Sequence, residues 1–142
     1  EILVDVGLSA REIERRMSAV KKSPETLSAI LVTHEHTDHI RGVGPLSRRY
    51  NIPVYVTERT FQAAEKVIGR PAEIECIDPD APFEIETLWF SPFMISHDAV
   101  EPLGFAVTDG DIKTGIATDL GVVTHLVREN LRGVNIAIVE AN

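Results

Sequence analysis

The stretch His34-Glu35-His36-Thr37-Asp38-His39 decides how this chain is read. Four residue types that bind metal fall within six positions, directly after the apolar run Ile30-Leu31-Val32. A strand ending there delivers all four to one edge of a sheet. Imidazole and carboxylate are good ligands for zinc, manganese or iron. In an extended segment side chains alternate, so His34 and His36 share one side. Asp38 and His39 then point elsewhere as the chain turns into a helix. There they can serve a second ion about 3.5–4 Å away, the usual separation in two-metal sites. The competing reading is a polar loop whose histidines cluster by chance. Three of the chain's five histidines within six positions weigh against it.

Composition sets the frame around this motif. At 142 residues the chain is long enough for one ordinary domain with a core, here read as a single domain over 1–142. The net charge of −8 argues against a diffuse electrostatic grip on nucleic acid. It leaves nucleic acid among the candidates, because bound divalent cations offset carboxylates at the site itself. The single Cys76 can make no internal disulfide, which suits a reducing, cytoplasmic compartment. It has no CxxC partner or neighbouring histidine and is read as a buried strand cysteine. No apolar run reaches the roughly 18–20 residues that span a bilayer. Glu1-Ile2-Leu3-Val4 opens in mid-strand, and Val139-Glu140-Ala141-Asn142 closes without a terminal loop. Both ends are expected to continue in a longer protein, leaving first strands and a C-terminal part outside the chain.

Working outward, residues 2–6 read as a buried strand ended by Gly7. Ser9-Ala10-Arg11-Glu12 is a capping-box pattern opening a helix whose Ile13, Met17 and Val20 recur at core-facing spacing. Residues 29–33 form the strand that leads into the histidines. A helix is expected from Ile40, with Val43, Leu46 and Tyr50 inward. Gly42 and Gly44 within it serve either a close backbone approach or simple turn geometry. Arg48 and Arg49 at its end read as a solvated pair. Pro53-Val54-Tyr55-Val56 is a short strand. Thr57 caps a helix with Phe61, Ala64, Val67 and Ile68 on its inner face. Strands are expected at 73–77, 83–90 and 93–96, the last leading to His97. Residues 103–108 and 112–118 flank the hairpin signal Asp109-Gly110-Asp111. A helix over 124–131 and a strand over 134–139 complete the order. Three β-α units, then several strands, then α-β predict an α/β chain with α+β-type layers rather than one regular parallel sheet.

The motif His34-x-His36-x-Asp38-His39 is complete as H-x-H-x-D-H and resembles the signature of the metallo-β-lactamase superfamily. The resemblance runs from Asp5 to Glu140. It implies an αββα sandwich, present here in part, around two divalent ions, zinc or manganese with iron as a further candidate. It assigns His34, His36 and His97 to one ion and Asp38 and His39 to the other. Asp119, in Thr118-Asp119-Leu120-Gly121, bridges them, and such a bridge offsets the mutual repulsion of the ions. Asp5-Val6-Gly7 matches an Asp-x-Gly that packs beneath the site and supports a ligand. Asp98 either orients a ligand, contacts substrate or is an ordinary loop carboxylate. The family's last histidine ligand has no counterpart. His125 is poorly placed for that role, so the ligand is expected beyond residue 142.

Several stretches are similar to the YycJ/WalJ-like branch of the superfamily: residues 2–13, Ile40-Arg41-Gly42-Val43-Gly44, residues 96–105 and Glu140-Ala141-Asn142. That branch implies a DNA exonuclease or phosphodiesterase. Water acidified at the ions attacks phosphorus in line, with Asp38 as the catalytic residue that also orients the nucleophile. No Ser-His-Asp or Cys-His arrangement competes as nucleophile. Gly42-x-Gly44 lacks the third glycine and the lysine of phosphate loops. Two alternatives stay open. One is a thioester or lactone hydrolase similar to glyoxalase II, since one fold hosts both chemistries and the acidic charge suits a small ester. The other is a partial, non-catalytic domain whose second metal site is incomplete.

Overall fold

The structure, a computed structural model, describes residues 1–141, Ala141 by its backbone alone; Asn142, at the end of the closing stretch named above, lies outside the described residues. The chain forms two compact units, residues 1–76 and 77–142.

In the first unit, strands β1 (Ile2–Val4), β2 (Ala29–Leu31), β3 (Pro53–Val56) and β4 (Glu73–Cys76) make a parallel sheet in the order β1-β2-β3-β4. Parallel neighbours need long crossovers. These are α1 (Ala10–Ala19), the pair α2 (Thr37–Ile40) and α3 (Val43–Tyr50), and α4 (Glu58–Ile68). Period-2 alternation puts Ile30 with Val32, and Val54 with Val56, on one face, where they pack with Leu46 of α3 and Ile68 of α4. The β2 residues Ala29, Ile30 and Leu31 are all fully buried, as expected of a strand in the middle of a parallel sheet.

Caps fix where the helices begin. The Ser9 hydroxyl accepts from the Glu12 amide at 3.4 Å. Glu12 does not return the favour to complete the box, because its carboxylate is taken by Arg15 and Arg16 at 2.7–2.8 Å. Those two guanidinium groups pull its pKa down to about 2. Thr57 caps α4, its hydroxyl accepting from the Thr60 amide at 3.2 Å in a buried setting. Thr57→Ala is expected to destabilise the protein by about 1–2 kcal/mol in urea unfolding; a change under about 0.3 kcal/mol would show that the cap carries no weight.

Some expectations need correcting. The helix predicted from Ile40 is two helices, α2 and α3, because the backbone amide of Gly42 turns aside to bond the Val6 carbonyl at 2.7 Å. Val20 and Val67 face outward; Val20 sits at the C-cap of α1, past its core-facing turns. Arg48 and Arg49 are both exposed, as expected, and each also has a partner. Arg48 donates to the carbonyls of Ile68 and Arg70 at the end of α4, and Arg49 pairs with Glu14 at 2.8 Å. Cys76 is exposed rather than buried, because β4 is an edge strand all of whose residues are exposed.

The second unit is a five-stranded sheet in the order β5-β6-β7-β8-β9, with β5 (Phe83–Ile85), β6 (Leu88–Met94), β7 (Leu103–Thr108), β8 (Lys113–Leu120) and β9 (Ile136–Ala141). Helix α5 (His125–Asn130) links β8 to β9, which pair in parallel; the other pairs are antiparallel. The single strand predicted over 83–90 is instead a hairpin. Its turn is Glu86-Thr87, with Glu86 in the left-handed region at φ 57°. The break predicted near Pro92 is absent, and β6 runs through it. Proline is tolerated there because β5 pairs only as far as Phe90, so β6 has one neighbour at Pro92 and its missing N–H costs no bond on that open side. Phe83 stacks on Phe90 with centroids 5.2 Å apart, and Phe105 meets Phe90 edge-on at 6.4 Å. Among the described residues no helix is long and apolar enough to cross a membrane.

Candidate metal centre

In a parallel sheet the carboxyl ends of the strands lie at one edge, where open α/β sheets place their ligands. The register pairs Val4 with Leu31, so the residues just beyond β1 and β2 emerge side by side. Asp5 comes from the first strand and the run from Thr33 to His39 from the second. The strand itself stops at Leu31, and His34-x-His36 lies on the extended segment that follows. As the alternation requires, the two rings are neighbours, edge to face at 4.7 Å. His39 departs from expectation. It turns back toward His34, with ring centroids 4.1 Å apart, because α2 carries it round and Asp5 holds it there.

Asp5 is the anchor of this cluster. It adopts φ 57°, a left-handed conformation uncommon outside glycine and asparagine-like residues and found where function demands it. One carboxylate oxygen accepts from the Thr33 amide at 2.9 Å. The other accepts from the Thr33 hydroxyl at 2.7 Å and faces His39 Nδ1 at 2.9 Å. A carboxylate only accepts, so His39 Nδ1 carries the hydrogen and its Nε2 presents a lone pair. Asp5 thus meets His39 directly and reaches His34 through Thr33, whose hydroxyl lies 2.9 Å from His34 Nδ1.

These observations fit a divalent cation. One ring nitrogen of His34 lies within 4.8 Å of one of His36, and likewise of one of His39. Small ring rotations bring such pairs to the roughly 3–4 Å between two nitrogens on one zinc ion. Histidines held by carboxylate and hydroxyl partners through the other ring nitrogen are the usual arrangement around a metal. Asp38 stands in the first turn of α2 with its side chain 84% exposed, 3.9 Å from His39 Nε2.

Within the second unit, His97 follows β6 and is half-buried, whereas Asp98 is exposed. Asp119 is buried, 8% exposed, and lies inside β8 rather than after it. Between Ala117 and Leu120 the β8 register advances three residues while β9 advances two, from Val139 to Ala141. The extra residue makes a bulge, with Asp119 at φ 54°. Bulges re-aim side chains, and this one turns a carboxylate out of the strand alternation. The Gly121 amide donates to the Ser96 carbonyl at 2.9 Å, and Ser96 bridges Val122. The segments carrying His97 and Asp119 are therefore tied together by backbone. His125, at the start of α5, has an 89% exposed side chain 3.9 Å from Glu129.

Sequence reasoning missed Thr33, whose hydroxyl joins Asp5 to His34. The signal was present as a polar residue between a buried strand and the first histidine, but a β-branched residue there reads equally well as strand.

Comparison with known proteins gives the family and the fold. The chain is 37% identical to the exodeoxyribonuclease YycJ of Bacillus anthracis over 147 aligned positions, covering all of this chain and 54% of that protein. It spans about half the length of the curated relatives it matches. The crystal structure of a diphosphatase from the PhnP family is 27% identical, with a TM-score of 0.74 over 96% of this chain and 54% of that one. The Rm3 metallo-β-lactamase is 17% identical with a TM-score of 0.75 over 99% of this chain and 66% of that one, which establishes the fold. The family described as Beta-lactamase superfamily domain matches residues 1–142 throughout, and the chain belongs to it.

Proposed function

We propose that this chain carries the metal centre of a metal-dependent hydrolase that cleaves phosphodiesters, with DNA as substrate in the manner of an exonuclease. The observation that carries the reading is the set of His34, His36 and His39 at the carboxyl edge of the first sheet, with His39 held by Asp5 and His34 tied to it through Thr33. The relatives lend it direction, one named an exodeoxyribonuclease and one a diphosphatase. In this reading 1–142 acts as one domain. His34, His36 and His97 would hold one divalent ion and Asp38 and His39 the other, and Asp119 would contribute to both. Zinc and manganese suit these ligands, and iron is a further candidate. Ions bound there supply acidification of water and stabilisation of charge on the phosphoryl oxygens. Asp38 accepts a hydrogen from the attacking water and orients it; Asp5 keeps His39 and, through Thr33, His34 in place. Asp98, exposed in the loop after His97, is available to substrate. The setting is cytoplasmic.

The test is incubation of the protein with 5′-labelled single-stranded DNA and Mn²⁺ or Zn²⁺, with a chelated control. Metal-dependent shortening of the label is expected. A metal-loaded protein that leaves DNA intact but opens a thioester or lactone would overturn the phosphodiester reading. The net charge of −8 favours that second chemistry.

A further inference from the structure

The Thr33 hydroxyl has one hydrogen, and the geometry assigns its direction. It lies 2.7 Å from an Asp5 carboxylate oxygen, which can only accept, so the hydrogen goes to Asp5. The same hydroxyl oxygen lies 2.9 Å from His34 Nδ1. With its hydrogen spent on Asp5, that oxygen can only accept from the ring. His34 must then carry its hydrogen on Nδ1 and present a lone pair at Nε2. The pair is sealed from solvent, Thr33 at 1% and His34 at 0% exposure, so water cannot substitute for either partner.

We propose that Thr33 is a positioning residue that fixes the tautomer and ring orientation of His34, and that Asp5 thereby governs two histidines by separate routes, His39 directly and His34 through Thr33. This deepens the metal-centre reading and rests on it. The two routes make the consequences of substitution unequal. Thr33→Val keeps the shape of the side chain and the Asp5–His39 contact but removes the acceptor for His34 Nδ1–H. Asp5→Asn disturbs both histidines. Thr33→Ser restores the hydroxyl.

Two measurements on the whole chain test it. The first is long-range ¹H–¹⁵N correlation of the imidazoles in the metal-free protein. It should show His34 protonated at Nδ1 in the unaltered protein and in Thr33→Ser, and no longer solely so in Thr33→Val. The second is zinc titration against a competing chelator. Thr33→Val should lose about 10–100-fold in affinity at one step while Thr33→Ser stays within a few-fold. Asp5→Asn should weaken both steps. His34 protonated at Nε2 in the unaltered protein would overturn the proposal, and so would zinc affinity in Thr33→Val equal to that of the unaltered protein. If Thr33→Val fails to fold, the tautomer of the unaltered protein and of Thr33→Ser still decides. Absence of any zinc binding by the unaltered protein would count against the metal centre itself, while the tautomer measurement would still judge the relay.

Discussion

Gly7→Ala is expected to destabilise the first unit by about 3 kcal/mol or more and to spoil the metal centre with it. A Cβ built on Gly7 would sit 1.5 Å from the Asp38 carbonyl oxygen and 2.5 Å from its carbonyl carbon. The obstacle is backbone, so no rotamer change relieves it. Nor can the two strands of chain simply separate. The Val6 amide bonds the His39 carbonyl at 2.6 Å, and the Gly42 amide bonds the Val6 carbonyl at 2.7 Å. These bonds clamp the β1–α1 connection onto α2 on both sides of the clash. Relief must break at least one of them and shift His39 off Asp5. Urea unfolding should show the loss of stability, and zinc titration should show weakened binding at the His39 step. Stability within about 0.5 kcal/mol of the unaltered protein would mean that this contact does not hold the motif in place.

Gly7 also shows what the sequence could and could not yield. Its position after an apolar strand marks a strand end, and Asp5-Val6-Gly7 is recognisable as a pattern. That the missing Cβ makes room for the Asp38 carbonyl of the motif is a tertiary fact. It depends on β1 and β2 being neighbours in register. Gly42 is similar. Close approach and turn geometry both explain it in sequence, and the Leu8 carbonyl, 2.1 Å from a would-be Cβ, decides for close approach. The candidate ligands were legible because a metal site needs rare residue types at short spacing. The residues that hold them were less so, because a supporting hydroxyl such as Thr33 is common in any strand.

The fold shows the same division. The β-α alternation of the first unit follows from apolar periods and caps and is found as predicted. The 83–90 stretch was misread because Glu86-Thr87 carries none of the glycine or asparagine that announces a two-residue turn; Glu86 takes the left-handed conformation regardless. Cys76 was misread because the alternation Glu73-Ile74-Glu75-Cys76 puts it on the apolar side with Ile74 and does not reveal that the strand lies at a sheet edge. The bulge at Asp119 was invisible for a related reason. Sequence places a carboxylate after an apolar run, but only the β8–β9 register shows one residue too many.

Asp38→Asn is expected to remove hydrolysis almost entirely, by on the order of 10³-fold, while leaving the fold untouched. The two halves of this expectation rest on different observations. Asp38 is 84% exposed and its side chain supports neither the sheet nor the core, so exchanging one oxygen for an amide should change stability by less than about 0.5 kcal/mol. Its main-chain position at the start of α2 is unaffected. The chemical loss follows from what an amide cannot do. Asparagine carries no negative charge to hold a divalent cation and cannot take up a proton from water at neutral pH. Helix α2 would keep His39 on Asp5, so zinc should still bind where imidazoles dominate. The decisive comparison is turnover of DNA against zinc content and unfolding midpoint for the same variant. Lost turnover with an unchanged midpoint would place the chemistry at Asp38. Full turnover by a folded Asp38→Asn protein would remove Asp38 from the reaction, and with it the proposed division of ligands between the two ions.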